Sequence, residues 1–282
     1  MAQWPDPINA LDDLFKLLRQ TPPDEDQIHL YRGHRNSSWK LEPSLFRYQE
    51  YRQAEREILR DVIALQPNEF RDDTTTFERL VRLQHYGAPT RLFDLSYNPL
   101  VGLFFACRPP TKEGEAESEG EFFQFTLKKA DVKYFDSDTI SCVSNLASLR
   151  YDEKQKLMSF RDNGELNSRD EGRRLLFFIQ AEKPFFEPRI VLEHLKSIFA
   201  VHPKLSNQRI VAQQGAFLIF GETTELDRER ALGINVLTAK IPASMKKCLR
   251  RELDRISINL RSMYPEIEKA SEYVKSKLLP PS

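Results

Sequence analysis

Between Gly87 and Cys107 the chain passes from a turn, through a short strand, straight into a helix that is apolar on every face. Few architectures accommodate that order. Glycine tolerates a positive φ and proline fixes its own, so Gly87 and Pro89 set a turn with His85 and Tyr86 at its mouth. Thr90 to Ser96 then reads as a strand, in which pleating sends Arg91 and Phe93 to one side and Leu92 and Asp94 to the other. Asn98 is suited to cap a helix and Pro99 to its first position, where a missing N–H costs nothing. The following run, Leu100 to Cys107, has no polar face, which predicts a buried helix. The ring, guanidinium, carboxylate and amide groups between Leu83 and Pro99 are therefore held at the edge of a core, where charge has to be paired or put to use.

The rest of the chain can supply that core, since 40% of its 282 residues are hydrophobic and 11% aromatic. This is enough for one large domain or two small ones, and it argues against disorder. With 42 Lys and Arg against 42 Asp and Glu, the molecule as a whole exerts no field on nucleic acid or an anionic membrane. A nucleic-acid partner would need a local patch. Cys107, Cys142 and Cys248 lack the close spacing of zinc or disulfide frameworks, which fits a reduced compartment. The start of the sequence has no basic stretch backed by an apolar one, and no apolar run reaches membrane-spanning length. The expectation is a soluble cytoplasmic protein without a membrane partner.

Periodicity organises most of the remainder. Pro7 to Arg19 fits an amphipathic helix, Ile28 to Tyr31 a strand, Arg47 to Leu65 a helical stripe, and Thr76 to Gln84 a helix leading into the dense block. Thr111 to Gly120 is acidic and reads as a solvated, mobile loop, with a strand from Glu121 to Leu127 after it. Ser137 to Asp170 is polar with helical fragments. Leu175 to Ile179 and Ala216 to Phe220 read as strands, and Ile190 to Ala200 as a mixed segment. Residues 243 to 277 read as two helices broken near Tyr264-Pro265. In the first of them Lys246, Lys247, Arg250, Arg251 and Arg255 read as a solvated face, because Glu252 and Asp254 dilute the charge. Short strands separated by long helical excursions argue an α+β fold. We expect one domain, with a core of about 25–242, a C-terminal helical segment 243–282, and a split, mostly antiparallel sheet with helices packed around it.

Three separated segments place polar groups beside glycine at a strand edge: Tyr31-Arg32-Gly33-His34-Arg35, the block from His85 to Asn98, and Arg209 to Phe217 with Gln213-Gln214-Gly215. Glycine lets a ligand approach the backbone, and an arginine fork beside it suits phosphate or carboxylate. The structural alternative is a buried ion network of Arg32, Arg91 and Asp94 that locks the domain.

Together these segments are similar to the FRG domain family, named for a (Phe/Tyr)-Arg-Gly motif that appears as Tyr31-Arg32-Gly33. The resemblance continues through Trp39 to Leu45, Gln84-His85-Tyr86-Gly87-Ala88-Pro89-Thr90-Arg91-Leu92-Phe93-Asp94, Asn98-Pro99, Ala212 to Phe217, Ile241-Pro242 and Tyr264-Pro265-Glu266. It implies a bacterial setting linked to mobile and defence functions. A weaker resemblance, to ADP-ribosyltransferases, lies in the order of parts: an early strand with arginine, a middle strand leading into a helix, and a late strand opening with Glu or Gln. It implies an ADP-ribosyltransferase-like fold that uses NAD as substrate and no metal. Arg32, His85, Tyr86, Asp94 and Gln214 would be the catalytic candidates, and Tyr31, Arg32, Gly33, Thr90, Arg91 and Gln213 would hold NAD. In that reading Arg32 holds phosphate or ribose, Gly33 grips the carboxamide, Tyr86 stacks on nicotinamide and His85 orients a ribose hydroxyl; the carboxylate that Gln214 lacks comes from Asp94 or from the target itself, or there is no transfer. Arg91 and Asp94 would then fix the strand, while His85, Tyr86 and Thr90 face the cleft. The acceptor would be a protein or nucleic acid, and the enzyme a toxin or phage-defence effector with a regulatory or antitoxin partner. Two other readings stand beside it. One is a binding module for nucleotides or phosphorylated ligands; the other is a nuclease or hydrolase using His85, Arg91 and Asp94.

Overall fold

A computed structural model describes residues 2–111, 114–205, 207–226 and 233–265. In chain order the elements are β1 (Ala2–Gln3), α1 (Leu11–Gln20), β2 (Gln27–His34), α2 (Gln49–Gln53), α3 (Glu55–Leu65), α4 (Thr76–His85), β3 (Leu92–Ser96) and α5 (Pro99–Ala106). There follow β4 (Gly120–Lys128), β5 (Lys133–Tyr134), α6 (Asp138–Ser144), α7 (Tyr151–Ser159), α8 (Asn163–Ser168), α9 (Asp170–Glu182), α10 (Leu192–Lys196) and β6 (Ile198–His202). The last are α11 (Gln208–Ala212), β7 (Gly215–Phe220), β8 (Asn235–Ile241), α12 (Ala243–Arg255) and α13 (Leu260–Met263).

The strands form one eight-stranded sheet in the order β1-β8-β4-β2-β3-β7-β6-β5. Among the described residues only the edge pairs β1 with β8 and β5 with β6 run parallel. The α+β, mostly antiparallel expectation therefore holds. Long ladders tie β2 to β4 and β3 to β7, but β2 meets β3 at a single register pair, Tyr31 with Ser96. The sheet consequently parts near its middle.

Alternation along the strands decides what covers each face. Leu30, Phe93, Leu95, Phe123, Phe125, Leu218 and Phe220 pack together on one face, beneath Leu41 and Leu226. On the opposite face two separate helical layers form. Tyr31, Phe122 and Ile241 pack against α1, α5 and α12, while Leu92, Phe217 and Ile219 pack against α4 and α6. Gly33 makes the first layer fit: a Cβ there would lie 2.0 Å from the Gly102 carbonyl oxygen and 2.3 Å from the Ala106 nitrogen, both in α5.

Three expectations need correction. Leu175 to Ile179 is not a strand but lies inside α9, where Leu175 and Ile179 are buried one helical turn apart and Phe177 faces solvent. The C-terminal helical run breaks earlier than Tyr264, after Arg255, and resumes as α13; the part beyond Pro265 lies outside the described residues. The described part of the acidic loop is largely exposed, as expected, and places Glu115 near Arg35, Glu117 on Arg250 and Glu119 near Lys240. Lys246 belongs to no solvated face, being buried with its Nζ donating to the Arg35 carbonyl at 2.6 Å.

Candidate functional site

The site forms where the sheet parts and the two helical layers separate. Arg32 sits at the parting. Its guanidinium carbon lies 3.7 Å above the Phe93 ring, its Nε donates to His34 Nε2 at 3.0 Å, and its Nη1 donates to the Asp94 carbonyl at 2.5 Å. That last bond spans β2 and β3 where the regular ladder has stopped. Burial pulls the Arg32 guanidinium down to about 10, against the Asp94 carboxylate, which favours its charge. It remains a cation at neutral pH.

Two small cavities adjoin here. One, of about 100 Å³, is lined by Tyr31, Arg32, Gly33, Asp94, Ser96 and Phe105 among others. The second, of about 40 Å³, includes Gln84, His85 and Asn207. Asp94, Leu95, Arg209 and Gln213 line both, so the two are halves of one cleft. Pleating accounts for Asp94: it shares a face with Leu92 and Ser96, opposite buried Phe93 and Leu95, and its side chain is exposed in the cleft. Ser96 fixes the floor by donating to the Gln213 carbonyl at 2.6 Å and accepting from the Asn98 N–H at 2.9 Å.

Of the sequence candidates, Tyr31, Arg32, Gly33, His85, Asp94 and Gln213 are therefore brought together, and four are not. Arg91 is fully buried, with Nε and Nη2 donating to Glu55 at 2.7 and 2.5 Å and Nη1 donating to the Phe220 and Gly221 carbonyls. Lys154 Nζ adds 2.6 Å to Glu55 and Arg52 pairs with Glu222 at 2.9 Å. Arg91 is thus a lock, as the structural alternative held, but its partner is Glu55 and not Asp94. Thr90 is also buried, with its hydroxyl on the Gln84 side-chain oxygen, so it does not face the cleft. Tyr86 points outward, 60% exposed, with its hydroxyl donating to Glu69 at 2.7 Å. Gln214 adopts a left-handed φ of 45° at the turn into β7, and its carbonyl accepts from the Tyr97 N–H at 2.9 Å. Gln214 lines neither cavity, while its neighbour Gln213 lines both. The hydrolase trio is separated in the same way, because His85 and Asp94 line the smaller cavity without Arg91. Among the described residues no group of three or more His, Cys, Asp and Glu is placed to hold a metal ion.

Arg209 is the residue sequence reasoning passed over. It lies on α11, whose N-terminus is capped by Asn207 Oδ1 accepting from the Ile210 N–H at 2.8 Å. Its Nη1 donates to the His85 carbonyl at 3.0 Å. The signal was present in the segment Arg209 to Phe217, yet nothing local marks Arg209 above the other arginines. The cleft thus carries two guanidinium groups, one carboxylate, three amides and one imidazole, a set suited to an anionic ligand bearing a carboxamide or hydroxyls.

Residues 27–115 match the FRG domain. The FRG match takes in β2, β3 and α5, and with them Arg32, Gly33, His85 and Asp94, whereas Arg209 and Gln213 lie beyond it. No curated protein and no solved structure matches the chain. No described helix is long and apolar enough to cross a membrane.

Proposed function

We propose that this cleft binds NAD and carries out mono-ADP-ribosyl transfer. One observation carries the reading: β2, β3 and β7, the early strand, the strand before the helix and the late strand, are consecutive neighbours in the sheet, and Arg32, Asp94 and Gln213, from β2, β3 and the turn before β7, line one cleft. In the reaction the bond between C1′ of the ribose and the nicotinamide nitrogen breaks, and its electron pair leaves with nicotinamide. The acceptor's nucleophilic atom gives a lone pair to C1′ and loses its proton to the Asp94 carboxylate. Asp94 also faces the positive charge that builds on the ribose, which a neutral Gln213 amide does not balance. Arg32 and Arg209 neutralise the pyrophosphate. The cavities are far below the roughly 300–1,000 Å³ of ligand pockets, so binding requires the cleft to widen.

The test is incubation with labelled NAD and cell extract. Label should pass to an acceptor with wild-type protein and fall by about a hundredfold with Arg32→Ala or Asp94→Asn. NAD neither bound nor consumed, even with lysate present as activator, overturns the reading. Gln214, standing where the resemblance implies a carboxylate, favours a second reading as a binding module. Thermal stabilisation by nucleotide without turnover is its signature.

A further inference from the structure

The C-terminal turn from Leu260 to Tyr264 touches the cleft only through other residues. Neither Met263 nor Tyr264 lines either cavity, and both are buried, in a cluster with Val101, Phe104 and Phe105. Yet the Tyr264 ring lies 4.5 Å from the Arg209 guanidinium carbon, and the Met263 carbonyl accepts from Gln213 Nε2 at 2.9 Å. Arg209 and Gln213 are two of the residues that line both halves of the cleft. They sit on, or directly after, α11, a helix of five residues, which is too short to hold its own shape. Arg108 also holds the turn, its Nη1 donating to the Tyr264 hydroxyl at 3.1 Å and its guanidinium carbon lying 5.5 Å from the centre of the same ring.

We infer that Tyr264 is a positioning residue: its ring fixes the Arg209 guanidinium at the cleft, and the Met263 carbonyl fixes Gln213 beside it. A stacked aromatic holds a guanidinium by its π face and leaves edge N–H groups able to meet an anion. For its ligand, this inference rests on the NAD reading above.

The experiment uses the full chain with Tyr264→Phe, Tyr264→Leu, Arg209→Ala and the Tyr264→Leu/Arg209→Ala double variant. Leucine keeps apolar bulk in the cluster and removes the π face. The first measurement needs no ligand: the rate at which phenylglyoxal modifies Arg209, mapped by peptide mass spectrometry. Tyr264→Leu should raise it severalfold and Tyr264→Phe should not. The second is the dissociation constant for NAD and for inorganic pyrophosphate. Tyr264→Leu should weaken both by roughly three- to thirtyfold, Tyr264→Phe hardly at all, and the double variant no more than Arg209→Ala alone. Unchanged Arg209 reactivity in Tyr264→Leu, or an equal affinity loss in the Arg209→Ala background, overturns the inference. A wild-type protein that binds neither NAD nor pyrophosphate, while Arg209 reactivity responds as stated, sinks the NAD reading and leaves Tyr264's hold on Arg209 standing.

Discussion

Glu55→Gln removes one negative charge from a site that solvent does not reach, between two cations that stay. Glu55 accepts on Oε1 from Arg91 Nε, and on Oε2 from Arg91 Nη2 and Lys154 Nζ. A glutamine amide in either orientation therefore turns N–H donors toward a cation's own donors. Burial alone would raise the Glu55 pKa, but attraction to Arg91 and Lys154 and their hydrogen bonds outweigh it and hold the carboxyl at about 2, against an ordinary 4.5. That depression corresponds to about 3 kcal/mol of folding stability, complete above pH 4.5 and lost as pH falls toward 2. Orphaning a buried charge costs about 3–5 kcal/mol, so Glu55→Gln should lose that much in urea unfolding at neutral pH. The wild-type protein should in addition lose stability between pH 4.5 and 2, a part of the acid response that Glu55→Gln lacks. A loss under about 1 kcal/mol at neutral pH, or the same acid response in both proteins, would refute the reasoning.

Gly33→Ala forces a methyl group onto backbone atoms of α5, so it should cost at least the roughly 1–3 kcal/mol of an overpacked core in denaturant unfolding; unchanged stability would contradict the close packing. Tyr86→Phe removes an exposed hydroxyl that donates to Glu69, and should shift stability by less than about 0.5 kcal/mol and leave NAD affinity as it was; a clear loss of affinity by calorimetry would restore Tyr86 to the site.

What could be read from the sequence was what local chemistry decides. Asn98 and Pro99 begin α5 as expected, with Asn98 Oδ1 accepting from the Leu100 N–H at 2.9 Å, and alternation along β3 correctly separates Asp94 from Phe93. Thr75 and Glu78 form the capping box that starts α4. Distant pairing was not readable. Arg91 finds Glu55 across 36 residues and Lys154 finds Glu55 across 99, and no spacing rule marks Asp94, only three residues away, as the wrong partner. The five-residue apolar run from Leu175 to Ile179 carries no period of its own. The acids Asp170 and Glu171 in the first turn of α9 were the better cue. Arg209 gains its place through Tyr264 and His85, contacts that exist only once the chain has folded.

A crystal structure of the full chain with NAD tests the central claim most directly. The dinucleotide should lie in the parting between β2 and β3, with its pyrophosphate within hydrogen-bond distance of Arg32 and Arg209 and its ribose facing Asp94. NAD bound elsewhere, or an unchanged cleft at saturating NAD, would contradict it.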